Sequence, residues 1–124
     1  MSVESTTVHV ALSDRSYDIH IGSDNLADIA RGVEAFEDVR HTVIITDSNV
    51  RQLYGETVLR TLSSIDTRID IITVPAGEAS KSIPMLEEIW SQLLALQADR
   101  KSLIVALGGG VVGDLAGFAA ATFG

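Results

Sequence analysis

Apolar residues along this chain recur with two different periods, and the two kinds of run alternate. "TTVHVAL" (6–12) and "YDIHIG" (17–22) are β-rich with partial alternation, and they flank "SDRS", whose short polar residues favour a turn. This predicts an N-terminal β-hairpin. "HTVIITD" (41–47), "DIITVP" (70–75) and "SLIVAL" (102–107) are short and nearly all apolar, as strands covered on both faces are. Between them the apolar period lengthens to that of a helix. Ser23 and Asp24 read as caps for a helix carrying Leu26, Ile29, Ala30 and Val33. A second helix places Val50, Leu53, Tyr54, Val58 and Leu62 on one face despite Gly55 in its interior. A third, with Pro84 early, carries Met85, Leu86, Ile89, Leu93, Leu94 and Leu96 along a broad apolar face. "VVGDLAGFAAATF" (111–123) reads as a fourth, rich in small residues.

Strand and helix alternating from His41 onwards predict βαβ units. The expected fold class is α/β, a Rossmann-like open parallel sheet with helices on both faces and a hairpin in front. With no repeat and no Gly/Ser linker, residues 1–124 are expected to form one domain or part of one. The last helix is dense in apolar residues and offers only Gly124 as a cap, so something is expected to cover both its sides and a truncated chain is expected.

Composition narrows the function classes. Hydrophobic residues make up 46% of the chain and aromatics only 5%, so the core must be aliphatic. Seventeen acidic against nine basic side chains give a formal charge of −8, which repels phosphate backbones and anionic lipid at long range. Nucleic acid and membrane are therefore not expected partners. A small anion remains admissible, because backbone dipoles bind phosphate whatever the net charge. The chain has no Cys, which removes disulfide and thiolate chemistry and is compatible with a reducing cytoplasm, the expected location. "MSVESTTVHV" lacks the basic and apolar regions of a signal peptide.

Chemistry-bearing residues gather after the predicted strands. Gly108, Gly110 and Gly113 satisfy G-x-G-x-x-G between a strand and a helix, the context in which backbone can approach a pyrophosphate at a helix N-terminus. They come after the last strand rather than the first, where the dinucleotide fingerprint ordinarily lies. Close helix–sheet packing is the alternative reason for glycine here. Asp47, followed by Ser48 and Asn49, ends the first parallel strand, where a carboxylate can accept from ribose hydroxyls; alternatively Asp47 or Ser48 caps the next helix. In "PAGEASKS" (75–82), Glu78 and Lys81 could hold ribose or phosphate, or could be a solvated pair. His9, His20 and His41 share no metal-ligand spacing and read as structural, and there is no G-x-S-x-G elbow.

"ITDSNV", "PAGEASKS" and "LGGGVVGDLAGFAAATF", in this order and at this spacing, resemble the 3-dehydroquinate synthase family along essentially the whole chain, as its N-terminal NAD-binding part. Related sugar-phosphate cyclases share the glycine turn. The resemblance implies that Asp47, Asn49, Glu78 and Lys81 contact the adenosine end of NAD, while Gly109, Gly110, Val111 and Asp114 surround the pyrophosphate. It implies a phosphorylated sugar acid as substrate, 3-deoxy-D-arabino-heptulosonate 7-phosphate, converted to 3-dehydroquinate with loss of phosphate. It also implies a divalent metal, zinc or cobalt, and a homodimer in the full-length enzyme. The family's metal ligands and most of its substrate-binding Arg and Lys residues have no counterpart here, so this chain alone is expected to be inactive. The competing expectations are a related sugar-phosphate cyclase and a nucleotide-binding module without catalysis.

Overall fold

The computed structural model describes residues 5–123. Two sheets form. In the first, β1 (Ser5–Val10) pairs antiparallel with β2 (Tyr17–Gly22), from Ser5 opposite Gly22 to Val10 opposite Tyr17. A single 3₁₀ turn, Ser13–Arg15, joins them, with Ser13 at φ 58° and the Ser16 hydroxyl donating to its carbonyl. The predicted hairpin is present, but Val8, Ile19 and Ile21 stay exposed.

The second sheet is parallel, in the order β4–β3–β5, with β3 (His41–Asp47) between β4 (Arg68–Val74) and β5 (Leu103–Leu107). Its registers put Asp47 beside Val74 and Thr46 beside Leu107, so the three strands end at one edge. The central place of β3 explains its composition, since residues 42–46 are all buried. Alternation then divides them. Val43 and Ile45 join Ile72 and Val74 under α4 (Ile83–Ala95) and α5 (Gly110–Thr122), which contribute Leu86, Ile89, Leu93, Val112, Leu115, Ala116 and Ala119. Ile44 faces the other way, against Val33 of α1 (Ile29–Glu34) and Val58 and Leu62 of α3 (Glu56–Leu62). Helices cover both faces, and the Rossmann-like α/β expectation is borne out. The two buried threonines of β3 are satisfied: Thr46 donates to the Leu107 carbonyl at 2.7 Å, and Thr42 bonds the Thr67 hydroxyl at 3.0 Å.

Three helix expectations need correction. Ser23 and Asp24 do not cap a helix, because Asp24 sits at φ 53° and the first turn is a 3₁₀ segment, Leu26–Asp28, leading into α1. Leu53 and Tyr54 do not share a face with Val58 and Leu62. Between α2 (Ser48–Val50) and α3 lies a π-helical segment, Arg51–Gly55, whose extra residue per turn rotates α3 relative to α2. Leu53 is left 70% exposed while Val58 and Leu62 are fully buried. A Cβ on Gly55 would lie 3.1 Å from Arg51 Cγ, so glycine relieves a tight contact inside this segment. On α4 the buried stripe is Leu86, Ile89 and Leu93, and Leu94 points to solvent. The described part of α5 is covered on one side only, with Phe118 exposed on the other. Gly124, expected as its cap, lies outside the described residues.

Candidate functional site

All the strand-end residues singled out from sequence lie along the edge where β3, β4 and β5 finish. Asp47 is the last residue of β3, and its Oδ1 accepts from the Val50 N–H at 2.8 Å, so the carboxylate caps α2. Ser48 and Asn49 beside it are exposed. The Ser48 hydroxyl accepts from the Ala76 N–H at 3.1 Å, which ties the end of β3 to the loop after β4.

That loop, 75–82, turns at Gly77, whose φ of 113° suits glycine. A 3₁₀ turn over Glu78–Ser80 comes next, and Ser82 caps α4 by accepting from the Met85 N–H at 3.3 Å. Ser80 is the buried member of the loop. Its hydroxyl donates to the Pro75 carbonyl at 2.5 Å, closing the loop on itself.

Glu78 and Lys81 are not an isolated pair. Lys81 Nζ donates to Asp114 Oδ2 at 2.8 Å, reaching across to the first turns of α5. The bond to Asp114 and the charges of Asp114 and Glu78 raise the Lys81 ammonium above its ordinary 10.5, so it carries a full positive charge at neutral pH. Under this bridge lies a cavity of about 320 Å³ with an apolar wall of Ile83, Leu86, Leu115 and Phe118.

The glycine turn sits between. Gly109 is the N-cap of α5 and no side chain caps this end. Backbone N–H groups and the positive end of the helix dipole are thus offered at the sheet edge. The glycines divide by role. A Cβ on Gly108 would lie 2.9 Å from Val112 Cγ2, so glycine there serves packing. A Cβ on Gly109, Gly110 or Gly113 would meet nothing within 4 Å, and none of the three has a positive φ. Neither packing nor backbone geometry demands glycine at these three positions.

On the far side of Gly108 a wider cavity of about 720 Å³ opens, lined among others by Asn25, Val50, Leu53, Tyr54 and Leu107. Leu53 and Tyr54, expected on one helix face with Val58 and Leu62, face this cavity instead. The structure thus brings Asp47, Asn49, Glu78, Lys81, Gly109, Gly110, Val111 and Asp114 to one edge of one sheet. Ser48 and Ser80, the loop's two braces, were not among the expected site residues. Serine in "PAGEASKS" and "TDSN" reads only as turn chemistry until the long-range partners are known.

The histidines are elsewhere. His9 Nδ1 is 2.6 Å from Asp18 across the hairpin, His20 bonds Thr7, and His41 Nε2 is 2.8 Å from Asp70, which Arg68 also contacts. Among the described residues no three His, Asp or Glu side chains gather as a metal-ligating group, and no helix is long and apolar enough to cross a membrane.

Residues 71–124 match the family described as 3-dehydroquinate synthase N-terminal. The chain is 43% identical over 123 residues to the 3-dehydroquinate synthase of Rhodopirellula baltica, covering 94% of this chain and 33% of that protein. It is 46% identical over 114 residues to that of Acidithiobacillus ferrooxidans, covering 92% of this chain and 31% of the relative. Among solved structures it is similar to 2-deoxy-scyllo-inosose synthase complexed with carbaglucose-6-phosphate, NAD⁺ and Co²⁺, with a TM-score of 0.78 and 26% identity over 95% of this chain and 32% of that one. It also resembles 2-epi-5-epi-valiolone synthase from Streptomyces hygroscopicus with NAD⁺ and Zn²⁺ bound, with a TM-score of 0.71 and 28% identity over 92% of this chain and 31% of that one. The chain thus spans about a third of the length of these relatives. The resemblance read from the motifs, to the N-terminal part of 3-dehydroquinate synthase, is borne out.

Proposed function

We propose that this chain is the N-terminal, NAD-binding part of a 3-dehydroquinate synthase, and that it holds the dinucleotide along the edge where β3, β4 and β5 end. One observation carries the reading. Gly109, Gly110 and Gly113 leave open space over an uncapped helix N-terminus, although their own backbone and neighbours would admit a side chain. Bare backbone facing free N–H groups is what a pyrophosphate needs.

Residues around the turn have complementary parts. Gly109, Gly110 and Val111 present backbone to the pyrophosphate, and Asp114 holds Lys81 beside it. Asp47, Asn49 and Glu78 supply acceptors and donors for the adenosine hydroxyls. NAD supplies a hydride acceptor that returns its hydride later in the same reaction cycle. The protein's contribution in this chain is to fix the cofactor's position and charge environment.

The whole enzyme of this reading takes 3-deoxy-D-arabino-heptulosonate 7-phosphate to 3-dehydroquinate and phosphate, with a zinc or cobalt ion, as a cytoplasmic homodimer. None of the described residues forms a group that fits that metal. We therefore assign no metal role and no catalytic residue to this chain, and expect it to be inactive alone. The acidic surface disfavours nucleic acid as a partner.

Calorimetric titration of the purified chain with NAD tests the reading. Saturable binding that is weakened by Gly110→Val supports it. Binding untouched by that change, or no binding at millimolar NAD, counts against it.

A further inference from the structure

We infer that Ser80 and Ser48 are positioning residues that hold the 75–82 loop in the shape that delivers Glu78 and Lys81 to the sheet edge. The inference rests on the NAD-binding reading of that edge, which it deepens by naming what sets the edge's geometry.

The loop has reasons to wander. It contains Gly77, its residues 75–79 are exposed, and the backbone bonds within 77–81 are local: Ser80 N–H to the Gly77 carbonyl and Lys81 N–H to the Glu78 carbonyl. Such contacts shape a turn but do not fix where it sits on the protein. Two serines do. Ser80 is only 5% exposed and donates to the carbonyl of Pro75, joining the two ends of the turn. Ser48, on α2, accepts from Ala76 N–H and fastens the loop to the neighbouring strand's end.

Lys81 comes directly after Ser80. Its ammonium meets Asp114 only if the loop is placed to within the length of a hydrogen bond, because Asp114 is held independently on α5. A serine at each anchor therefore sets the distance between the loop and the glycine turn. Neither serine needs to touch a ligand to do so.

The experiment uses Ser80→Ala and Ser48→Ala in this same chain, read in three ways. NAD affinity is measured by calorimetry, the Lys81 ammonium is titrated by NMR, and stability is measured by urea unfolding. Losing one anchoring hydrogen bond is expected to lower NAD affinity roughly 2- to 13-fold for either variant, the span that ~0.5–1.5 kcal/mol gives. The Lys81 titration should fall back toward its ordinary value in both variants, because the loop no longer holds the ammonium against Asp114. A lowered unfolding midpoint with NAD affinity and the Lys81 titration unchanged would overturn the inference, since the serines would then be structural only. Ser48 is exposed, so its variant keeps the test usable if Ser80→Ala fails to fold. Should the parent chain not bind NAD, the cofactor reading falls, and the Lys81 titration still decides whether the serines position the loop.

Discussion

Lys81 and Asp114 meet at 2.8 Å between two elements whose positions are set independently, the loop after β4 and the first turns of α5. The pair therefore measures the gap across which the glycine turn looks out. Because Asp114 and Glu78 raise the Lys81 ammonium, its folded value lies above its unfolded one. A group of that kind contributes fully below its unfolded pKa, here 10.5, and its contribution is lost as the pH rises through the higher folded value.

The first prediction concerns pH. Through the neutral range neither stability nor NAD affinity should change through Lys81; its contribution to stability should begin to decline above about 10.5, and the bridge should open and affinity fall only as the pH rises through the higher folded value. Asp114→Asn should bring the Lys81 titration down toward its ordinary value while barely moving the unfolding midpoint, because both side chains are about half exposed and screened by solvent. NMR titration of the Lys81 side chain in both proteins checks this. An unchanged titration in Asp114→Asn would mean the pair does not persist in solution.

The second separates the glycines. Gly108→Ala drives a Cβ into Val112 and should destabilise the chain by about 1–3 kcal/mol, the usual cost of overpacking. Gly110→Ala meets nothing and sits at the first position of α5 with no positive φ, so stability should hold or rise by about 0.4–1 kcal/mol. Its NAD affinity should nonetheless fall, by roughly 10- to 150-fold if one charged-acceptor bond of ~1.5–3 kcal/mol is lost. Urea unfolding and calorimetry on the two variants give the four numbers. Equal behaviour of the two would remove the distinction between packing glycine and binding glycine.

How much of the fold and the site is legible in the sequence depends on the range of the interactions concerned. The nearly all-apolar stretch "HTVIITD" announces a strand covered on both faces, and β3 is indeed buried from Thr42 to Thr46; that it is the central strand of the three is settled only by the fold. The placement of the candidate residues at one edge comes from the same alternation. What escapes is decided across the fold. Glu78 and Lys81 look like a local pair, yet the partner of Lys81 comes from another helix. Leu53 and Tyr54 fit a helical face on paper, and a π-helical turn that no period reveals sets them outside it. Ser80 is indistinguishable by type from the other serines of its stretch until its burial is known.

The third prediction is catalytic. Supplied with the heptulosonate phosphate, NAD and zinc, the purified chain should release no phosphate above background, since none of the described residues forms a metal-ligating group. A phosphate-release assay with and without zinc is sufficient. Zinc-dependent turnover would show that the active groups are already present here.

The fourth turns on the double duty of Asp47. Its carboxylate already accepts from Val50 N–H as the cap of α2, and it also stands at the strand end where an adenosine hydroxyl would be received. A carboxylate has two oxygens and about four lone-pair sites, so one oxygen can cap while the other accepts from ribose. Asp47→Asn keeps an oxygen for the cap and is also a preferred N-cap residue, so the unfolding midpoint should hardly move. The amide that replaces the second oxygen can only donate. Against a ribose hydroxyl it loses a charge-assisted bond, and NAD affinity should fall roughly 10-fold or more. Asp47→Ala should lose both, with about 0.5–2 kcal/mol of stability gone as well. Unfolding and NAD titration of the pair distinguish the roles. If Asp47→Asn binds NAD as the parent does while Asp47→Ala is destabilised, Asp47 is a cap only, and the adenosine end must be received by Asn49 and Glu78.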